Sequence, residues 1–264
     1  MLVGASTMAY LELSPARAIE RLTELGVRVV ELSYDNFLQS RVRELQELEV
    51  VAEVVSTSGL ANFSVHLPYD NLDPSPPGVR SAIRRFSRWA RVLGSVEVSH
   101  YVVHLPNLPP SPRSVDVAAA YLVRVAEAVE PTPVAVENSS SSTSFGTKAV
   151  ELAEVLSKVG LGRVYACLDV GHANIVREPL RRYSETLGSR VRVLHIHDND
   201  GLRDLHLPLG VGTLDLGELA EVVERTRPEK LIAEVACRGL ERCDVELRQT
   251  LSVLESLVSR VRTL

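Results

Sequence analysis

Between His195 and His206 the chain reads "HIHDNDGLRDLH", three histidines and three aspartates in twelve residues, directly after the apolar run Val191–Leu194. Imidazole nitrogens and carboxylate oxygens bind divalent cations and move protons, which is the chemistry this concentration points to. The same residue types close other apolar runs: His66 in "FSVHL", His104 in "YVVHL", Glu137 in "VAVEN", Asp169 in "YACLD", His195 and His197 in "VRVLHIH", and Glu234 in "LIAEV". Taken singly, such an Asp or Glu could cap the next helix, and such a His could fill a polar gap in a core. Six runs that finish alike argue for one shared site. Carboxylates gathered in a cleft repel one another, and bound cations are the usual compensation.

Spacing refines this reading. "DVGH" leaves Asp169 at the end of its run and carries His172 onto the following loop, and "DLH" offers Asp204 and His206 from another loop. His195 and His197 lie two apart on a strand, so both face the same way. His197 is expected to hydrogen-bond a ligand or the substrate rather than hold the metal. The shell of His, Asp and Glu lacks thiolates, which favours a catalytic Zn²⁺, Mn²⁺, Fe²⁺, Co²⁺ or Mg²⁺ over a structural zinc cage. Several carboxylates able to bridge leave room for one to three ions.

The elements that must position these groups follow from hydrophobic patterning. Eight β-branched runs, 2–6, 27–32, 63–67, 101–105, 134–138, 165–169, 191–197 and 231–235, alternate with amphipathic stretches. That is the pattern of a (β/α)₈ TIM barrel of the α/β class, read as a single domain over residues 1–264, with a doubly wound open sheet as the alternative. In a barrel the carboxyl ends of the strands carry the chemistry, which is where the polar residues fall. Ser14 and Pro15 predict a helix start that Gly26 ends, and Ser111 and Pro112 predict another that Pro131 ends.

Composition excludes some classes. The hydrophobic share is 45% and the charged share 24%, ordinary for a soluble enzyme, and no apolar run reaches the roughly 20 residues of a membrane span. The first residues lack a basic segment followed by an apolar core, so the expected location is the cytoplasm. A net charge of -5 argues against a broad nucleic-acid surface. Cys167, Cys237 and Cys243 form no Cys-x-x-Cys pair; free thiols are expected, with a Cys237–Cys243 disulfide as the alternative.

The motifs "VHLPY", "VVHLP", "VAVENSS", "CLDVGHAN", "HIHDNDG", "DLHLPLGVG" and "IAEV" resemble those of the xylose isomerase-like TIM-barrel superfamily, which includes sugar isomerases, epimerases and endonuclease IV. Resemblance to endonuclease IV implies three zinc ions. His66 and His104 would hold one with Glu137 bridging; Asp169, His195 and Glu234 would complete a second; His172, Asp204 and His206 would hold a third. Resemblance to the sugar-isomerising branch implies one metal on Glu137, Asp169, His195 and Glu234. The two glutamates would then pass a proton to and from a ketose carbon while the metal stabilises an enediolate. In that branch His172 and Arg203 would contact substrate, and Tyr69, Asn138 and His197 join the expected substrate-binding set.

Residues outside the shared ligand set separate the two activities. Endonuclease IV wedges side chains into bent DNA, and Tyr69 and the segment "SYDNFLQSR" with Tyr34, Phe37 and Arg41 could serve, although a lid over a small-molecule pocket is the preferred reading of that segment. Arg80, Arg84, Arg88 and Arg91 have helical spacing and are expected on a solvated outer face. Val211 stands where endonuclease IV commonly has an acidic residue, and Gly210 and Gly212 could let backbone amides approach a phosphate. "NSSSSTS", 138–144, is expected as a polar loop at the barrel mouth. The expected activity is therefore isomerisation or epimerisation of a sugar or sugar phosphate, the alternative is hydrolysis of abasic DNA, and a homo-oligomer is expected by analogy with the superfamily.

Overall fold

Strands buried on both faces need partners on both edges and cover on both sides, and parallel pairing under crossover helices satisfies both needs. The computed structural model describes residues 1–38, 43–70, 72–237 and 239–263. Its strands are β1 (Leu2–Ser6), β2 (Val29–Leu32), β3 (Asn62–His66), β4 (Tyr101–His104), β5 (Val134–Glu137), β6 (Val164–Asp169), β7 (Val191–Ile196) and β8 (Lys230–Ala233). Each pairs in parallel with its neighbours in chain order, and β1 pairs with β8, which closes the barrel and excludes the open sheet.

The helices are α1 (Pro15–Glu24), α2 (Glu44–Thr57), α3 (Pro76–Val92), α4 (Ser114–Ala128), α5 (Ala149–Val159), α6 (Val170–Val176), α7 (Leu180–Leu187), α8 (Leu216–Thr226) and α9 (Leu240–Thr263). Ser14 and Pro15 open α1 as expected, and Gly26 follows its end at φ 87°, where glycine carries no Cβ penalty. The helix expected from Ser111 starts instead at Ser114, because Ser111 to Ser114 close a turn first, with the Ser114 amide donating to the Ser111 carbonyl at 3.0 Å. Strand β2 likewise starts two residues later than its run, since the Val27 amide is taken by the Leu22 carbonyl at the end of α1.

Side chains alternate across a strand with period 2, so each strand sends every second residue into the barrel. Tyr165, Cys167 and Asp169 mark this step on β6, Val193, His195 and His197 at β7, and Lys230, Ile232 and Glu234 at β8. The apolar members (Val29, Val102, Ala135, Tyr165, Cys167, Val193 and Ile232) form a separate plug, apart from the larger core between sheet and helices. The polar members lie mostly above it, with Glu31, Ser64 and His195 buried at its upper edge and His100 and Lys230 near its base.

Two expectations change here. Cys237 and Cys243 are joined as a disulfide, because the loop after β8 returns to the first turn of α9 and brings their Cα atoms to 5.5 Å; Cys167 is free and buried. Tyr34 and Phe37, read as a lid or a DNA wedge, are fully buried in a short 3₁₀ turn after β2, where Phe37 packs on Trp89 of α3 at 4.9 Å between ring centroids. Arg41 lies outside the described residues. Arg80, Arg84, Arg88 and Arg91 are exposed on the outer ring, as expected. Among the described residues no helix is long and apolar enough to cross a membrane. Phe37→Ala should lower the unfolding free energy by about 3–5 kcal/mol in urea titrations; a change below about 0.5 kcal/mol would return this segment to the surface.

Candidate metal centre

Register sets the site. His104 lies opposite Glu137 across the β4–β5 pair, and Asp169 lies opposite His195 across β6–β7. Because inward positions on neighbouring strands meet at the same height, the polar ends of β3 to β8 converge without any special loop. Glu137 is the centre: its Oε2 lies 2.9 Å from His66 Nε2 and 3.0 Å from His104 Nε2, while its Oε1 lies 3.3 Å from His195 Nδ1 and 3.5 Å from His172 Nδ1. Glu234 Oε2 approaches the same His195 Nδ1 at 3.3 Å.

The loop after β7 supplies the rest. Asp204 Oδ2 is 3.0 Å from His172 Nε2, and Asp204 Oδ1 is 3.4 Å from His206 Nε2. His206 stacks on His197 with ring centroids 4.0 Å apart and sits at a positive φ of 47°. The loop is held by a residue that sequence reasoning missed. The buried Asp198 carboxylate accepts from the amides of Asn199, Gly210, Gly212 and Leu214 at 2.8–3.0 Å. The Gly210 and Gly212 amides are thereby occupied, so they are not free to cradle a phosphate. Glycine at 212 is required by space, as a Cβ would lie 2.1 Å from the Asn199 carbonyl oxygen. Gly171 is required for the same reason, since a Cβ there would lie 2.0 Å from His197 Cε1.

Among the described residues, four overlapping groups have ligand atoms within 4.8 Å of one another: His66, His104 and Glu137; Glu137, Asp169, His195 and Glu234; Asp169, His172 and His197; and His197, Asp204 and His206. The first two coincide with the expected sets. In the others His197, expected only to hydrogen-bond, presents Nε2 3.2 Å from Asp169 Oδ1 and 3.5 Å from Asp204 Oδ1. Asp169 Oδ2 and His197 Nε2 are buried with no hydrogen-bond partner. Orphaned buried polar atoms of ligand type are costly unless something binds them, and a nitrogen and oxygen donor set of this kind fits a divalent metal.

Electrostatics point the same way. Burial opposes ionisation of Glu137, yet the imidazoles of His104 and His195 hold its carboxyl well below the usual range. Burial likewise opposes the charged ring of His172, and Asp169, Asp204 and Glu137 raise it well above its ordinary value. Burial pushes Glu234 up to about 7, against His195 and with Glu137. The site as folded thus balances carboxylates with imidazolium protons, and a metal cation would take over that role as the protons leave.

Above the donors opens a cavity of about 300 Å³ lined by Met8, Asp35, Tyr69, Asn107, Ser139, Ser140, Ser141 and Ser144, and by His66, His104, Glu137, His172, Asp204, His206 and Glu234. The polar loop "NSSSSTS" therefore reaches the mouth, as its composition suggested. Tyr69 stacks on His104 and donates to Asp35 Oδ1 at 2.6 Å, so its ring forms a wall of the cavity. Two expected substrate contacts are placed elsewhere. Arg203 is exposed and paired with Asp200 at 2.8 Å, because the turn at 200–203 folds its side chain back on itself. Asn138 is fully buried and braces β5 to β6, donating to the Asp169 carbonyl at 2.9 Å and accepting from the Asp169 amide at 2.7 Å. Besides Asp198, sequence reasoning missed Glu31 on β2; the signal was a carboxylate inside "VVEL", a run that otherwise has no polar residue.

A closed barrel with one cup of His, Asp and Glu at the carboxyl ends of its strands defines a class, the (β/α)₈ barrels whose mouth fits a divalent metal. Within that class, the family model described as xylose isomerase-like TIM barrel matches residues 19–257, and the chain belongs to this family. The fructoselysine 3-epimerase of Escherichia coli O157:H7 is 27% identical over 111 residues, a match spanning 42% of this chain and 40% of that enzyme. The crystal structure of a D-tagatose 3-epimerase-like protein aligns with a TM-score of 0.79 at 19% identity, covering 99% of this chain and 100% of that one. The IOLI protein, whose crystal structure holds a zinc atom, aligns with a TM-score of 0.78 at 14% identity over 99% of both chains. Family and relatives together support an enzyme related to the sugar isomerases and epimerases.

Two predictions follow from this geometry. Asp198→Ala leaves four backbone donors without their carboxylate and should lower the unfolding free energy of metal-free protein by about 3 kcal/mol or more, read by urea titration. The Glu234 proton gives a pH test. The folded chain keeps it up to about pH 7 while the unfolded chain releases it near 4.5. Between those values the folded state binds more protons, so the contribution is present at low pH and is lost as pH rises. Glu234→Gln should therefore gain on wild type between about pH 5 and about pH 7 in chelated samples; a wild-type chain that gains on the mutant over that window contradicts the assignment.

Proposed function

We propose that this protein is a divalent-metal-dependent isomerase or epimerase of a sugar or sugar phosphate, in which Glu137 and Glu234 exchange a proton with a substrate carbon. The observation that carries the reading is the placing of these two carboxylates. Both line one cavity, and both lie 3.3 Å from the same His195 nitrogen, on either side of a donor cup completed by Asp169. Glu137, Asp169, His195 and Glu234 would hold the ion. When bound, it would supply positive charge for the negative charge that develops on the sugar oxygens.

The chain's own residues do the rest. One glutamate takes the proton from carbon and the other delivers one, which requires a substrate held between them. Tyr69, Met8 and Phe145 give the cavity apolar walls, while Asn107, Ser139, Ser140, Ser141 and Ser144 offer hydrogen bonds to hydroxyl groups. A small polyol suits this mixture of ring faces and hydroxyl partners. Similarity to a fructoselysine 3-epimerase supports the same reading.

A second reading, zinc-dependent cleavage at abasic DNA sites, is favoured by the extension of the donor set beyond one cup, to His66 with His104 and to Asp204 with His206. Against it stand the occupied glycine amides and the burial of Tyr34 and Phe37. Metal-loaded protein should incorporate solvent deuterium into a ketose from a panel of ketoses and ketose phosphates. Glu137→Gln and Glu234→Gln should each lower kcat by roughly 10²–10⁴-fold. Absence of exchange across the panel, together with three zinc ions per chain and nicking of an abasic duplex, reverses the ranking.

A further inference from the structure

The interior of a (β/α)₈ barrel is ordinarily filled by layers of apolar side chains. Here a fully buried carboxylate, Glu31 on β2, interrupts the filling one layer below the donor cup. Burying a carboxylate is costly, and apolar residues of similar volume often serve stability as well or better, so its presence calls for a use. Its contacts identify one. Glu31 Oε1 lies 2.7 Å from His195 Nε2, a charge contact rather than an aligned hydrogen bond, and among the described residues neither atom has a hydrogen-bond partner. Glu31 Oε2 accepts from Ser64 Oγ at 2.9 Å and lies 3.5 Å from His100 Nε2. Beneath, the buried Lys230 amine meets His100 Nδ1 at 2.8 Å and donates to Ser99 Oγ.

His195 therefore has carboxylates on both sides: Glu137 and Glu234 at Nδ1, and Glu31 at Nε2. An imidazole gives a metal one nitrogen, and the partner of the other nitrogen decides which. The geometry points to Glu31 as a positioning residue for the metal centre. Its negative charge at 2.7 Å favours keeping a proton on His195 Nε2, which leaves Nδ1 as the donor that faces the cup. His100 and Lys230 form the lower part of the same chain, placing a positive charge below Glu31 so that the carboxylate is tolerated inside the barrel. A carboxylate behind a ligating imidazole also makes the ring a better donor, and removing such a partner typically weakens metal binding by about 10–100-fold. This inference rests on the reading of the cup as a metal site.

The experiment measures zinc affinity of chelated protein by competition with a chromophoric chelator. Glu31→Gln should bind about 10–100-fold more weakly than wild type, whereas Ser64→Ala, which removes the hydroxyl that donates to Glu31 Oε2 without touching His195, should stay within about threefold. Equal affinity of Glu31→Gln and wild type overturns the role of Glu31 while leaving the metal site intact. Failure of wild type to bind zinc overturns the metal site itself. A second measurement needs no variant: ¹¹³Cd-loaded wild type labelled with ¹⁵N-histidine should show cadmium coupling to His195 Nδ1 and a slowly exchanging proton on Nε2. Coupling at Nε2 overturns the inference even if Glu31→Gln does not fold.

Discussion

Charge compensation in a closed space governs this protein. Glu31, Glu137, Asp169 and Glu234 are buried within one barrel together with His66, His172, His195 and His197. None of these carboxylates would stay ionised there alone. Each is instead within reach of at least one imidazole, and Glu137 touches four. Such a network of nitrogen and oxygen donors fits a divalent cation, which would take over the charge that the imidazolium protons now balance.

The rest of the fold serves that arrangement. Closure of the sheet brings β3 to β8 around one axis, so residues far apart in the chain meet at equal height. Asn138 ties β5 to the residue at the end of β6, and Asp198 gathers the long loop after β7 so that Asp204 and His206 come back over the mouth. These polar braces work inside the protein, where an unmet hydrogen bond costs most. They are as much a part of the site as the donors, since a donor displaced by an ångström loses its geometry.

The barrel also shows how one side chain can be needed for absence of bulk. Gly171 and Gly212 admit the His197 ring and the Asn199 carbonyl into space that any Cβ would fill. The "GVG" turn suggested a phosphate cradle from sequence, yet its two glycine amides face a carboxylate of the same chain. An amide that looks free in a motif is often spoken for in the fold.

How much was legible in the sequence follows from the range of the forces involved. Periodicity is local, and it was enough for eight strands and for the placing of His66, His104, Glu137, Asp169, His195 and Glu234 at strand ends. Strand-end position in a barrel is a strong constraint, so those residues can be gathered into one cup from the chain alone. What depended on how turns close and how segments pack was not legible. Arg203 turned to its neighbour Asp200, Phe37 turned into the core against Trp89, and the two cysteines met across a loop. Glu31 was overlooked because one carboxylate in an apolar run reads as an edge residue until its inward direction is known. Alternation and strand ends are properties of the chain, so the residue types that arrive at the mouth can be read from it directly. Which of them touch depends on barrel closure and loop return, because packing between segments fixes the distances that chemistry requires.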